Sequence, residues 1–252
     1  MRYGICTTAE NAALLKELGY DYIELPLNKT ASLTDEEFDN WKNLIKESGL
    51  KAETFSLLLP KTLSLFAPDF EMEMLDEYLD KAFSRMKELG GEVAVFGSGK
   101  SRVFPEDRPY GESFTRLVFL TEHIVKKASA YGVTIVIEPL NRAETNSVNT
   151  LHEGEILSSL SGASLLCDAF HLRRENESPE EILRSKRLTH AHIATLDGRR
   201  YPLSLDEEVL TFFAALKKSG YDGRLSIEGK TEDMKKDGAL ALEVLKTAYK
   251  EA

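Results

Sequence analysis

The chain is short of positive charge, has no long apolar run and carries almost no cysteine, and each shortage closes a class of function. Lys and Arg number 32 against 42 Asp and Glu, a formal net charge of -10 over 252 residues. A field of that sign repels phosphodiester backbones, so nucleic acid is not an expected partner. No stretch approaches the ~20 consecutive apolar residues of a membrane helix, and the opening "MRYGICTTAE" has one Arg before a short strand-like run, without a leader's apolar segment. The expectation is a cytoplasmic protein that does not meet a membrane. Cys6 and Cys167 lie in separate apolar runs without CxxC spacing and read as structural thiols.

Nucleotide motifs are missing too. "GSGKS" (97–101) contains a GKS, but a phosphate loop needs glycine five positions before Gly99, where Ala94 stands, and a GxGxxG needs glycine where Arg102 stands. Lys100, Arg102 and Arg108 are then either rim residues that meet a sugar hydroxyl or phosphate, or simply solvated.

What the chain has is apolar content and regular alternation. Hydrophobic residues at 42% are enough for a sizeable core and too many for a disordered chain. Eight short apolar runs read as strands: "YGIC", "YIELPL", "AETFSLL", "VAVFGSG", "VTIVIEPL", "SLLCDAFH", "THAHIA" and "RLSIEG". Amphipathic helical patterns separate them. Several open with Thr or Ser three residues before an acid, and several stop at Gly19, Gly49, Gly132 or Gly220. Strands alternating with helices imply a parallel sheet covered on both faces. Eight such units in this length predict a single (β/α)8 TIM barrel over residues 1–252, with a doubly wound open sheet as the structural alternative.

In a barrel, functional groups gather where strands end at their C-terminal side. Glu138, Asp168, His192 and Glu228 stand at or near the ends of strands five to eight. Singly, each has a bland reading, as a helix cap for an acid or a hydrogen-bonded core residue for a histidine. Together, three acids in one confined mouth repel unless a cation compensates them. Three oxygens and one nitrogen without thiolate suit a hard or borderline divalent ion, Mn2+ first, with Mg2+ or Co2+ as alternatives. His123 and His152 fall in helical patterns and read as surface or packing residues. His190, two residues from His192, is either a partner behind it or core packing.

"IEPLNRAETNSVNT", "CDAFH", "HAHIA", "GYDGRLSIEG" and "VFGSGKSRVFPE" together resemble the sugar phosphate isomerase/epimerase superfamily of xylose isomerase-like barrels, and within it ketose 3-epimerases of the D-tagatose 3-epimerase type. The resemblance implies that Glu138, Asp168, His192 and Glu228 hold one divalent metal ion and that Glu138 and Glu228 are the acid/base pair. It implies that Glu144 and His171 hold substrate hydroxyls and that an arginine after strand seven contacts substrate. "HIATLDGRRYP" is one residue longer there than the family pattern, so Arg199 is the choice and Arg200 the fallback. The implied reaction is epimerisation of a small sugar at C3 of a ketose, in a chain that associates as a dimer or tetramer. Alternatives on the same scaffold are an aldose-ketose 1,2-isomerase, a keto-inositol enzyme, a non-catalytic sugar-binding barrel and an abasic-site endonuclease. The last uses a histidine-rich metal cluster, and this chain has five His in all.

Overall fold

Parallel strands cannot be joined by tight hairpins, so each must be followed by a crossover, and this chain supplies a helix for every one. The computed structural model describes residues 1–252. Its strands are β1 (Arg2–Cys6), β2 (Tyr22–Pro26), β3 (Lys51–Ser56), β4 (Val93–Phe96), β5 (Thr134–Ile137), β6 (Ser164–Asp168), β7 (Leu188–Ile193) and β8 (Arg224–Ile227). They pair in parallel in sequence order and β8 pairs with β1, closing the barrel. Around it lie α1 (Ala12–Leu18), α2 (Leu27–Ser32), α3 (Asp35–Ser48), α4 (Met72–Glu88), α5 (Tyr110–Ala130), α6 (Leu151–Ser161), α7 (Ala169–Arg174), α8 (Glu207–Lys218) and α9 (Met234–Glu251). No helix is long and apolar enough to cross a membrane.

The helix signals act as their chemistry requires. Thr34 with Glu37, and Thr150 with Glu153, form complete capping boxes at the starts of α3 and α6. Gly19, Gly49, Gly132 and Gly220 all have left-handed backbone where their helices end. Three local readings differ from the sequence expectation. Two helices, not one, follow β2. "SPEEILRSK" forms only a 3-10 turn, Pro179–Arg184, capped by Ser178. The run "SLLCDAFH" breaks at Asp168, whose Oδ1 accepts the Phe170 N–H at 2.7 Å and turns the chain into α7. His171 therefore stands on a helix and not in the strand.

The barrel interior is polar along part of its length. Tyr22 Oη lies 2.8 Å from Ser226 Oγ, and Gly4 on β1 makes room for that ring, because a Cβ there would collide with it. Above this pair, Glu24 in the middle of β2 accepts from Thr54 and Ser226 at 2.8 and 2.6 Å. The pairing of β2 with β3 and of β6 with β7 each slips by a residue, beside Glu24 and beside Thr189. Such irregularities re-aim side chains, and here they accompany the inward set of Glu24, His190 and His192.

Candidate metal and substrate site

Glu138, Asp168, His192 and Glu228 follow or end four adjacent strands, and their ligand atoms all lie within 4.8 Å of one another. His192 is central. Its Nδ1 is 3.3 Å from Glu138 Oε1 and 3.3 Å from Glu228 Oε2, while its Nε2 is 2.9 Å from Glu24 Oε1. A carboxylate at Nε2 fixes the proton on that nitrogen and leaves Nδ1 to face the acids. Glu24 also takes His190 Nε2 at 2.7 Å, so both histidines of β7 hang on one buried carboxylate.

The electrostatics follow from burial and these contacts. Burial pushes the Glu138 carboxyl up, and the Glu228 charge adds to the push. Burial pushes Glu228 up as well, but the hydrogen bond and charge of His192, with Arg199, outweigh it and bring the group down to about 2. Burial would lower His192, but Glu24 reverses this and holds the ring well above its ordinary value. Glu24 is itself held well below the usual carboxylate range, because His192 and His190 overcome its burial. His190 is lowered, chiefly by burial.

Arg199 reaches into the same space. Its Nη2 is 2.5 Å from Glu228 Oε2 and 3.4 Å from Asp168 Oδ2, and its Nη1 is 3.5 Å from Glu144 Oε1. The guanidinium lies over the Phe170 ring at 4.7 Å. Gly198 and Arg199 both have left-handed backbone, and Lys230 N donates to Arg199 O at 2.7 Å. Arg200 does not enter the site. Its side chain lines an open groove with Leu196 and Tyr201.

His171 is buried, and its Nδ1 accepts the Asn141 N–H at 3.1 Å, so Nε2 carries the hydrogen and points to Asp168 Oδ2 at 3.6 Å. Asn141 Nδ2 donates to Glu144 Oε1 at 2.9 Å and fixes that carboxylate at the mouth. Arg142 pairs with Glu175 instead of turning inward. Gly97, after β4, leaves the seat for Glu138, since a Cβ there would overlap Glu138 Oε2.

The residues present fit a divalent cation. Three basic groups, His192, Arg199 and Arg102, stand against the five carboxylates Glu24, Glu138, Glu144, Asp168 and Glu228. The mouth-facing donors are three carboxylates and one imidazole, the set a hard or borderline ion prefers. Cys6 Sγ lies 3.9 Å from His192 Nε2, but burial and Glu24 push its thiol well up, so it stays protonated and is a poor ligand. Glu24 stands at hydrogen-bond distance behind His192, and His190 holds Glu24 in turn, as supports for the ring.

Two residues escaped the sequence reading. Glu24 was legible only as a lone acid inside an apolar strand, which burial obliges to find partners. Arg102 is fully buried, not at the rim: its Nη2 donates to the Glu138 carbonyl at 2.5 Å and its guanidinium lies 5.7 Å from the Phe96 ring. Lys100 and Arg108 are exposed, His123 pairs with Asp76 at 2.6 Å on the helical layer, and His152 is exposed.

A family profile described as xylose isomerase-like TIM barrel matches residues 12–248. The chain belongs to that family. Among its relatives is a 3-dehydro-D-guloside 4-epimerase of Escherichia coli strain K12, 24% identical, with 88% of this chain and 86% of the relative covered. An L-ribulose 3-epimerase of Methylomonas sp. strain DH-1 is 30% identical, with 83% and 74% covered. The fold is shared with a D-allulose 3-epimerase from Methylomonas sp. solved in complex with D-allulose, at a TM-score of 0.83 and 24% identity over 99% of this chain and 97% of that one.

Proposed function

We propose that this protein is a divalent-metal-dependent sugar epimerase that inverts a hydroxyl-bearing carbon next to a ketone, C3 of a ketose in the first instance. The observation that carries the reading is the pair Glu138 and Glu228, which converge on His192 Nδ1 from strands separated by two others. The names of the relatives agree with it. A 4-epimerase of a 3-dehydro sugar and a 3-epimerase of a 2-ketose both act at the carbon beside the carbonyl.

Glu138, Asp168, His192 and Glu228 would hold the cation, which when bound would supply Lewis acidity at the sugar carbonyl and so acidify the neighbouring C–H. One glutamate of the pair takes that proton onto its carboxylate, leaving a planar enediolate of the sugar. The other delivers a proton to the opposite face, since a single base would return it to the face it left. His171 Nε2–H and Arg199 orient substrate oxygens, and Glu144 accepts from a hydroxyl at the mouth. Asp168 pairs through one oxygen with Arg199 and keeps the other on the α7 backbone.

The test is incubation of Mn2+-loaded protein with a panel of ketoses in D2O, read by NMR. Deuterium at C3 together with the C3 epimer is the expected result. Exchange at C1 with aldose formation moves the assignment to a 1,2-isomerase. Glu138→Gln should lower the exchange rate about 10^2- to 10^4-fold with the fold intact by circular dichroism, and full turnover by that variant would remove the assigned mechanism.

A further inference from the structure

The mouth of the barrel is divided. One cavity of about 310 Å3 is lined by Cys6, Ser56, Leu57, Arg199 and Glu228. A second, also about 310 Å3, is lined by Asn28, Leu57, Lys61, Ser98, Lys100 and Glu144. Leu57 belongs to both, and the Arg199–Glu144 contact at 3.5 Å joins the residues of one to the other. Each volume lies at the small end of the ~300–1,000 Å3 found for ligand sites, so one sugar unit fills one of them and leaves the other for a different part of the ligand.

The second cavity is built, not incidental. The segments after β3 and β4 form its walls and are tied together: Leu59 N donates to Ser98 Oγ at 2.9 Å, Ser101 Oγ donates to the Pro60 carbonyl at 3.0 Å, and Leu65 N donates to the Ser101 carbonyl at 2.8 Å. Of the four residues with side chains and left-handed backbone, Leu57 (φ 54) and Ser98 (φ 38) line this cavity and Arg199 (φ 50) lines the first. Such backbone is costly and persists where surrounding structure imposes it, commonly at ligand sites.

Its charge is the reverse of the chain's. Lys61 and Lys100 line it and neither makes an ion pair, in a protein of net charge -10. The one acid there, Glu144, is already engaged by Asn141 and Arg199. Asn28 uses its Oδ1 on the Lys29 N–H and keeps its amide N–H groups for another acceptor. Solvated lysines on an open surface would be unremarkable. These two are exposed at their tips but flank a walled cavity that shares Leu57 with the one at Glu228.

We propose that the second cavity takes an anionic group, a phosphate or a carboxylate, carried by the sugar at the end remote from the reacting carbon, with Lys61 and Lys100 as its counter-charges. The inference rests on the epimerase reading above and names its substrate class.

D-fructose, D-fructose 6-phosphate and D-fructuronate share one skeleton and differ only at C6, so they isolate the effect. Epimerisation by the Mn2+-loaded protein would be followed with each, for the wild type and for the double variant Lys61→Met/Lys100→Met. The expected result is a kcat/KM for one anionic ketose about tenfold or more above that for D-fructose. The double variant loses that margin through KM, keeps its rate on D-fructose within about twofold, and shows no residual salt dependence. The anion preferred tells phosphate from carboxylate. Equal turnover of all three, or an anion margin that survives in the double variant, overturns the inference and leaves the epimerase reading standing. Absence of deuterium exchange into all three overturns both.

Discussion

The two ends of the barrel hold the same kinds of residue and treat them in opposite ways. At the N-terminal end, Glu53 of β3 is almost fully buried and is matched by base on every side. Arg2 of β1 grips both its oxygens at 2.5 Å, and Arg224 of β8 adds a bond at 2.7 Å and pairs with Glu92. At the C-terminal end, Glu138, Asp168 and Glu228 crowd together, with Arg199 reaching the oxygens of two of them and Arg102 held on the Glu138 backbone carbonyl. The lower cluster is complete within the chain and fastens β1, β3 and β8 to one another. The upper one is left acid-rich, which is destabilising for a protein alone and useful for one that holds a cation. Stability and chemistry are thus assigned to opposite ends of one set of strands.

Breaking the lower cluster should have the largest effect on stability. Glu53→Ala leaves two arginines without their buried partner and should cost about 3 kcal/mol, the low end for such a loss because Arg2 keeps water access. Urea denaturation measures the cost. The turnover of the folded fraction should not change, and if it fell in step with stability the two ends would not be independent. A smaller effect is expected where the ends approach each other, at Glu24. Glu24→Gln keeps the shape but presents an amide to His190 and His192, and should lower Mn2+ affinity about 10- to 100-fold in equilibrium dialysis. Unchanged affinity would make Glu24 a packing residue only.

The smallest effect sharpens the comparison by showing an acid whose burial outweighs the pull of its one arginine neighbour, Arg142. Burial, with Glu181 and Glu153 nearby, pushes Glu177 up from 4.5 to about 7 despite the Leu151 N–H it accepts. Its folded form therefore binds more protons than the unfolded chain between those values. Stability should fall as pH rises through that window, and the penalty is full above about 7. Glu177→Gln should remove it, gaining about 1 kcal/mol at pH 8 after allowance for solvent screening and nothing below pH 4. A thermal-melt series across that range checks the sign.

Much of this organisation was legible in the chain, for definite reasons. The barrel follows from eight apolar runs separated by capped helical patterns, because each cap and stop is a local chemical event. Glu138, Asp168 and Glu228 stood out because a carboxylate at the end of an apolar run is unusual and the fold sends all such ends to one rim. Arg199 could be named only through family resemblance, because nothing local distinguishes it from Arg200. Asp168 hid the start of α7, since its capping bond uses a backbone N–H that an unbroken apolar run does not advertise. Arg102 misled because glycine and serine neighbours look solvated, and its burial depends on contacts with Phe96 of β4 and, farther along the chain, the end of β5.

The seam between β1 and β8 carries a consequence for synthesis. The pairing that closes the barrel joins residues 2–5 to residues 224–227, and Glu228 follows at once. A ribosome has passed all seven earlier strands before the fourth carboxylate or imidazole of the site exists, and the first strand must wait unpaired on one edge until then. Activity in such a chain is a signature of completed folding, and a truncated or half-docked product is silent by construction.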